Sequence, residues 1–181
     1  IDPSGEGSNK TVFVVRDRFK AKIVREDLKS NERDIAQKAM ALMELYRIEP
    51  ADVFVDNFGS GANVAQYLAA AGKFVNGVNV GDKPEDTERF LNLRAEAYWR
   101  VKEWLRTGGE LERDEHWKQL LTMRYRPELS GKLKMMSKMD MKKEGFESPD
   151  VADALMLTFT TADTYYPEVK EETIFNKYAI V

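Results

Sequence analysis

Cysteine is absent from the 181 residues, and histidine occurs once, at His116. The first absence excludes a disulfide framework, a thiolate zinc site and a cysteine nucleophile. The second excludes any centre that needs two imidazoles. No run approaches the roughly 18 apolar residues of a membrane-spanning helix. The opening IDPSGEGSNK has neither the basic region nor the apolar core of a signal peptide. Basic excess is missing as well. The 28 Lys and Arg against 31 Asp and Glu leave a net charge of −3, so a polyanionic partner would have to be met by a local basic patch or by bound cations. The phosphate-cradling pattern GxxxxGKS/T occurs nowhere, which argues against an ATP-driven motor within these residues.

What is present, 43% hydrophobic and 33% charged residues, is the balance of one globular domain. The chain starts on Ile1 and Asp2 and runs into a Gly/Ser-rich turn, from which we expect a piece of a longer protein with the break inside or just after a strand. Residues 11–16 (TVFVVR) and 19–24 (FKAKIV) read as a strand pair. Ile35, Ala39, Leu42, Met43 and Tyr46 recur at helical spacing over 31–47, with Ser30 or Asn31 as cap and Pro50 beyond the end. VFVD (53–56) suits a buried parallel strand. After it come the turn NFGSG, a helix over 62–71, a strand over 74–80, a polar loop and a long helix over 89–106 closed by Gly108 and Gly109. A shorter helix over 114–121, a hairpin of 122–127 with 132–137, one or two helical turns at 138–144 and a helix over 149–162 complete the pattern. Paired early strands followed by strand–helix alternation predict an α/β fold, a mixed sheet with helices on both faces. The domain is expected to span 1–162, leaving a tail, 163–181, without clear period.

Three places set acids at the ends of apolar elements. Asp2 follows the implied first strand, Asp56 closes VFVD, and Asp150 and Asp153 open the helix of SPDVADAL. In open α/β sheets, sites form at the carboxyl ends of parallel strands. Acids gathered there repel one another unless cations bind. Oxygen ligands without His or Cys favour Mg²⁺ or Mn²⁺, and two such ions roughly 3.5–4 Å apart can activate water and stabilise the leaving oxygen of a phosphodiester. Each acid also has a plainer reading. Asp2 and Asp56 could only shape turns, and Asp150 gains from the helix dipole without any function. Asp153 is harder to set aside, because Val151, Ala152, Ala154 and Leu155 surround it in an apolar helix where an unpaired acid is costly.

The one basic concentration is KLKMMSKMDMKK (132–143), with Lys132, Lys134 and Lys138 ahead of Lys142 and Lys143. A charge run is ordinarily a solvated face, but this one lies just before the SPDVADAL acids, where a phosphate backbone would need cations. His116 reads as a surface residue, Tyr98, Trp99 and Trp104 as core, and the methionines of 135–141 as including core packing. Ser60 has no nearby base.

Four segments together, IDPSGEGSNKTVFVVR, VFVDNFGSG, FLNLRAEAYWRVKEWLRTGGEL and KLKMMSKMDMKKEGFESPDVADALMLTF, resemble the C-terminal nuclease domain of phage large terminase subunits, over nearly the whole chain to about residue 162. The resemblance implies a ribonuclease H-like fold and a two-metal Mg²⁺ or Mn²⁺ endonuclease that cuts concatemeric double-stranded viral DNA during packaging, in the cytoplasm of an infected or lysogenic bacterial host. It implies Asp2, Asp56 and Asp153 as catalytic ligands, Asp2 bridging both ions, with Asp150 as an auxiliary ligand, and Lys132, Lys134 and Lys138 on the DNA backbone. In a full-length protein it implies an ATPase domain, a portal and a small terminase subunit as partners. A first strand reduced to Ile1–Asp2 would leave Asp2 at an end expected to fray. The alternatives are a resolvase-like nuclease acting on branched DNA and a non-catalytic module that docks to portal or small terminase.

Overall fold

The computed structural model describes residues 1–3, 10–28 and 30–161. Strands β1 (Lys10–Arg16) and β2 (Lys20–Leu28) form an antiparallel hairpin with a register shift between Phe13 and Val14. Its turn is held by Asp17, whose carboxylate accepts from the Phe19 and Lys20 amides at 2.8 and 2.7 Å. Helix α1 (Glu32–Tyr46) starts where the Asn31 side chain accepts from the Asp34 amide at 2.9 Å, and stops at Arg47 in the left-handed region. Strand β3 (Phe54–Asp56), helix α2 (Ser60–Ala70) and strand β4 (Asn76–Val78) make a parallel crossover unit. Helix α3 (Leu93–Arg106) leads into strand β5 (Glu110–Leu111), which lies parallel to β2, and then a 3-10 segment, Glu115–Thr122. The hairpin of β6 (Tyr125–Pro127) and β7 (Leu133–Met135) is followed by α4 (Lys138–Lys143) and α5 (Asp150–Leu157).

Ile1 and Asp2 join these strands into one mixed sheet. Asp2 and Val12 exchange both main-chain bonds, at 3.1 and 3.0 Å, in an antiparallel bridge. On the other side the Ile1 amino group donates to the Phe54 carbonyl at 2.6 Å, and the Asp56 amide donates to the Ile1 carbonyl at 3.2 Å, which is parallel pairing. The strand order is therefore β5-β2-β1-(1–2)-β3-β4. Asp2, expected at a fraying end, lies in the middle of the sheet and is 6% exposed.

Alternation along β1 divides the core in two. Phe13 faces the cluster of α1 and α2, with Ile35, Ala39, Val55, Val64 and Leu68; Val12 faces that of α3 and α5, with Trp104, Leu155, Met156 and Phe159. Helices thus cover both faces, as expected. Several elements differ from the sequence pattern in bounds or type. Helix α3 begins at Leu93 instead of residue 89, because the Asn92 side chain caps it by accepting from the Ala95 amide at 3.1 Å. Residues Glu115–Thr122 form a 3-10 helix, capped by Asp114. Helix α5 ends at Leu157 because Thr158 and Thr160 donate their hydroxyls to the Leu155 and Leu157 carbonyls, at 2.8 and 2.9 Å, in competition with the main chain. The tail 163–181 lies outside the described residues. Among the described residues no helix is long and apolar enough to cross a membrane.

Candidate active site

The central sheet position of Asp2 puts its carboxylate beside the carboxyl end of β3, where Asp56 sits, and beneath α5, which carries Asp150 and Asp153. Asp153 is 4% exposed and bonded on both oxygens. Its Oδ1 accepts from Tyr98 Oη at 2.7 Å and from the Arg94 guanidinium at 2.9 Å, and its Oδ2 lies 3.0 Å from Lys138 Nζ. Arg94 and Tyr98 are one turn apart on α3, so a single helix face supplies both donors. The Arg94 fork also reaches the Met136 carbonyl at 3.1 Å, tying the hairpin to the same point. Lys138 Nζ stands 3.8 Å from Asp2 Oδ2 as well, so one ammonium lies between two buried acids.

The charges divide accordingly. Burial pushes the Asp2 carboxyl up to about 8; Lys138 opposes this, while Asp153, Asp150 and Asp56 add to it. Burial also raises Asp56, against the Phe58 amide that donates to its carboxylate at 3.2 Å. Asp153 moves the other way: burial pushes it up, but Arg94, Lys138 and the Tyr98 hydroxyl outweigh burial and hold it below the ordinary carboxylate range. Burial together with Asp153 raises the Tyr98 hydroxyl, which keeps it a donor. Burial works against the Lys138 ammonium, yet Asp153 and Asp2 hold its pKa above the usual lysine value.

Asp150 has separate partners. Its Oδ2 accepts from the Lys10 amide at 3.1 Å and its Oδ1 from the Ser148 hydroxyl, so it is tied to the start of β1. Beside it opens a cleft of about 630 Å³ lined by Lys10, His116, Gln119, Lys138, Lys142 and Asp150. The turn after Asp56 depends on Gly61. A Cβ there would lie 1.6 Å from the Asp56 carbonyl oxygen, so only glycine lets α2 begin against the acid.

The donor set suits a hard divalent cation: carboxylates only, one of them with its pKa raised by burial, around a point already occupied by a cationic nitrogen. Among the described residues no three acids stand close enough together to grip one ion as they are now placed. Lys138 would have to yield.

No family model matches the chain, and no curated protein matches it in sequence. Solved structures do. The nuclease domain of the large terminase subunit gp2 of bacterial virus Sf6 superposes with a TM-score of 0.75 at 23% identity, over 87% of this chain and 85% of that one. A point variant of that domain, with manganese and β-thujaplicinol, gives 0.74 at 23% identity over the same shares. The large terminase nuclease from thermophilic phage G20c, with bound magnesium, gives 0.54 at 16% identity over 84% and 80%. The chain has a large terminase nuclease fold. The ribonuclease H-like α/β architecture expected from the sequence is thereby borne out.

Within this terminase nuclease fold, the four expected acids come together around Asp2, whose pKa responds to each of the other three. The three expected DNA-facing lysines separate. Lys138 turns its ammonium into the acids, whereas Lys134 pairs with Glu128 across the β6–β7 hairpin and Lys132 lies at the hairpin's turn. The sequence pattern does not single out Arg94 and Tyr98, which hold Asp153, as site residues. Tyr98 is core, as its pattern suggested, at 4% exposure, yet its hydroxyl serves Asp153. A buried phenol and an arginine four residues apart in NLRAEAYW are the signal that could have found them. Trp104, Met135, Met136 and Met141 are core, while Met139 is exposed. His116 lies half-exposed, 2.9 Å from Asp114.

Proposed function

We propose that this chain is a divalent-metal-dependent endonuclease that cuts concatemeric double-stranded viral DNA during genome packaging by two-metal phosphodiester hydrolysis. The observation that carries this reading is Lys138 Nζ between Asp153 and Asp2, at 3.0 and 3.8 Å, with Asp56 at the adjoining strand end: a cation-demanding acid cluster at the carboxyl edge of the sheet. Solved structures of the same fold that hold manganese and magnesium support it.

Asp2, Asp56 and Asp153, with Asp150 as auxiliary ligand, are the residues that would hold Mg²⁺ or Mn²⁺. When bound, such ions supply Lewis-acid activation of water and neutralise the leaving oxygen. The chain itself prepares the site. Arg94 and Tyr98 keep Asp153 ionised and fix its orientation; burial of Asp2 raises its demand for a cation; and Lys138 is free to pair with a phosphate once it leaves the acids. Lys10 and Lys142 line the adjoining cleft, Lys134 lines a second one that shares Lys138 with it, and Lys132 lies at the hairpin's turn; there they would meet a phosphate backbone with little base readout and strong salt dependence. In this reading the full-length protein works with an ATPase domain, a portal and a small terminase subunit, in the cytoplasm of the infected host.

The test is cleavage of supercoiled plasmid by the purified chain with Mn²⁺ or Mg²⁺, beside EDTA and an Asp153→Asn variant. Cutting that needs the ion and disappears in the variant is the expected result. No cutting in any divalent ion, or equal cutting by the variant, would overturn the assignment.

A further inference from the structure

Helix α5 carries two of the four acids and has no cap of its own. Its N-cap position is Pro149, which offers no side-chain acceptor, and the first main-chain bond of the helix is Asp153 N–H to the Pro149 carbonyl at 2.7 Å. The amides of Val151 and Ala152 therefore have no partner within the helix. Water cannot readily serve them, because all eight residues of α5 are buried, Val151 at 1% and Ala152 at 0% exposure. Both amides donate to one atom, Oε1 of Gln119, at 2.8 and 3.3 Å, from a residue 32 and 33 positions earlier. Gln119 in turn belongs to the 3-10 segment anchored by buried Trp117, whose Nε1 donates to the Glu112 carbonyl at 2.8 Å.

We infer that Gln119 is a positioning residue for the acid cluster: by capping α5 from another element, it sets where Asp150 and Asp153 stand relative to Asp2. The inference rests on the nuclease reading above. The Lys10 amide holds the Asp150 side chain to β1, and Gln119 holds the next two main-chain amides, so the first turn of α5 is pinned on two sides. Without the glutamine oxygen, two buried N–H groups must find water or another acceptor, and the helix must shift or open to let them. Either movement displaces Asp153 from Arg94, Tyr98 and Lys138. Partners that orient metal-binding groups from behind typically affect metal affinity or activity by about 10- to 100-fold.

The experiment compares wild type, Gln119→Met, which keeps length and removes the acceptor, and Gln119→Glu, which keeps an acceptor. Amide hydrogen exchange at Val151 and Ala152, Mn²⁺ binding by calorimetry and cleavage kinetics are measured on each. Gln119→Met is expected to lose protection at both amides, to bind Mn²⁺ about 10- to 100-fold more weakly, and to lose kcat with little change in KM for DNA. Gln119→Glu is expected to recover the protection and most of the affinity. Asn31→Ala, which uncaps α1 on the opposite face of the sheet from α5, controls for lost stability alone and should leave Mn²⁺ affinity unchanged. Gln119→Met that loses amide protection yet binds Mn²⁺ within about twofold of wild type would overturn the inference while leaving the nuclease reading intact. Wild type that binds no Mn²⁺ would instead remove the nuclease reading, and this inference with it.

Discussion

Tyr98 and Asp153 are 55 residues apart in the chain, and the phenol of one donates to the carboxylate of the other at 2.7 Å with both side chains buried. A hydrogen bond to a charged group in such a place is worth about 1.5–3 kcal/mol. Tyr98→Phe is therefore expected to lower unfolding free energy by about that amount, measured by urea denaturation. It should also move Asp153 toward the ordinary carboxylate range, so the acid limb of the metal-dependent cleavage profile shifts upward in pH. Unchanged stability would mean that Arg94 alone satisfies Asp153 Oδ1.

Asp2 sets a pH dependence of opposite sign from the usual carboxylate. Its folded pKa, raised chiefly by burial to about 8, lies above its ordinary value of 3.8. The stability contribution of such a group is fully present below about 3.8 and is lost as pH rises toward and through about 8. Thermal unfolding of the metal-free chain should show this decline between those limits, and Asp2→Asn should flatten it. Added Mg²⁺ should flatten it as well, by stabilising the ionised form. A wild-type profile identical to that of Asp2→Asn would contradict the assignment.

Lys138 competes with any divalent ion for Asp2 and Asp153. Two unit charges about 4 Å apart interact by about 4 kcal/mol at an effective dielectric of about 20, and an entering ion must overcome part of this. Lys138→Ala is expected to tighten Mn²⁺ binding about tenfold by calorimetry, while the metal-free variant becomes less stable at neutral pH. Weaker Mn²⁺ binding in the variant would show that the ammonium supports the ion instead of displacing it.

Gly61→Ala tests the turn that presents Asp56. The added Cβ would meet the Asp56 carbonyl oxygen at 1.6 Å and its carbon at 2.8 Å, both main-chain atoms that cannot swing aside. Overpacking of this kind costs about 1–3 kcal/mol. Loss of metal-dependent cleavage should exceed what the stability loss explains, since Asp56 itself must move. Full activity at a temperature where the variant is folded would exclude that coupling.

Much of this molecule is written locally. The alternation of Val12 and Phe13 determines that β1 is buried on both faces, the Asn31 side chain determines where α1 starts, and acids at the ends of VFVD and in SPDVADAL mark the site, because period-2 patterning and capping involve residues only a few positions apart. The sequence alone could not determine that Ile1 and Asp2 knit the strands into one sheet, since that depends on pairing with Val12 on one side and with Phe54 and Asp56 on the other. Nor could it determine that Arg94 and Tyr98, 59 and 55 residues from Asp153, would hold it ionised, or that Lys138 would turn from the expected DNA surface into the acids. Only packing decided those. Buried carboxylates must find donors and cations wherever the fold brings them, and for Asp153 in this chain they come from α3 and α4.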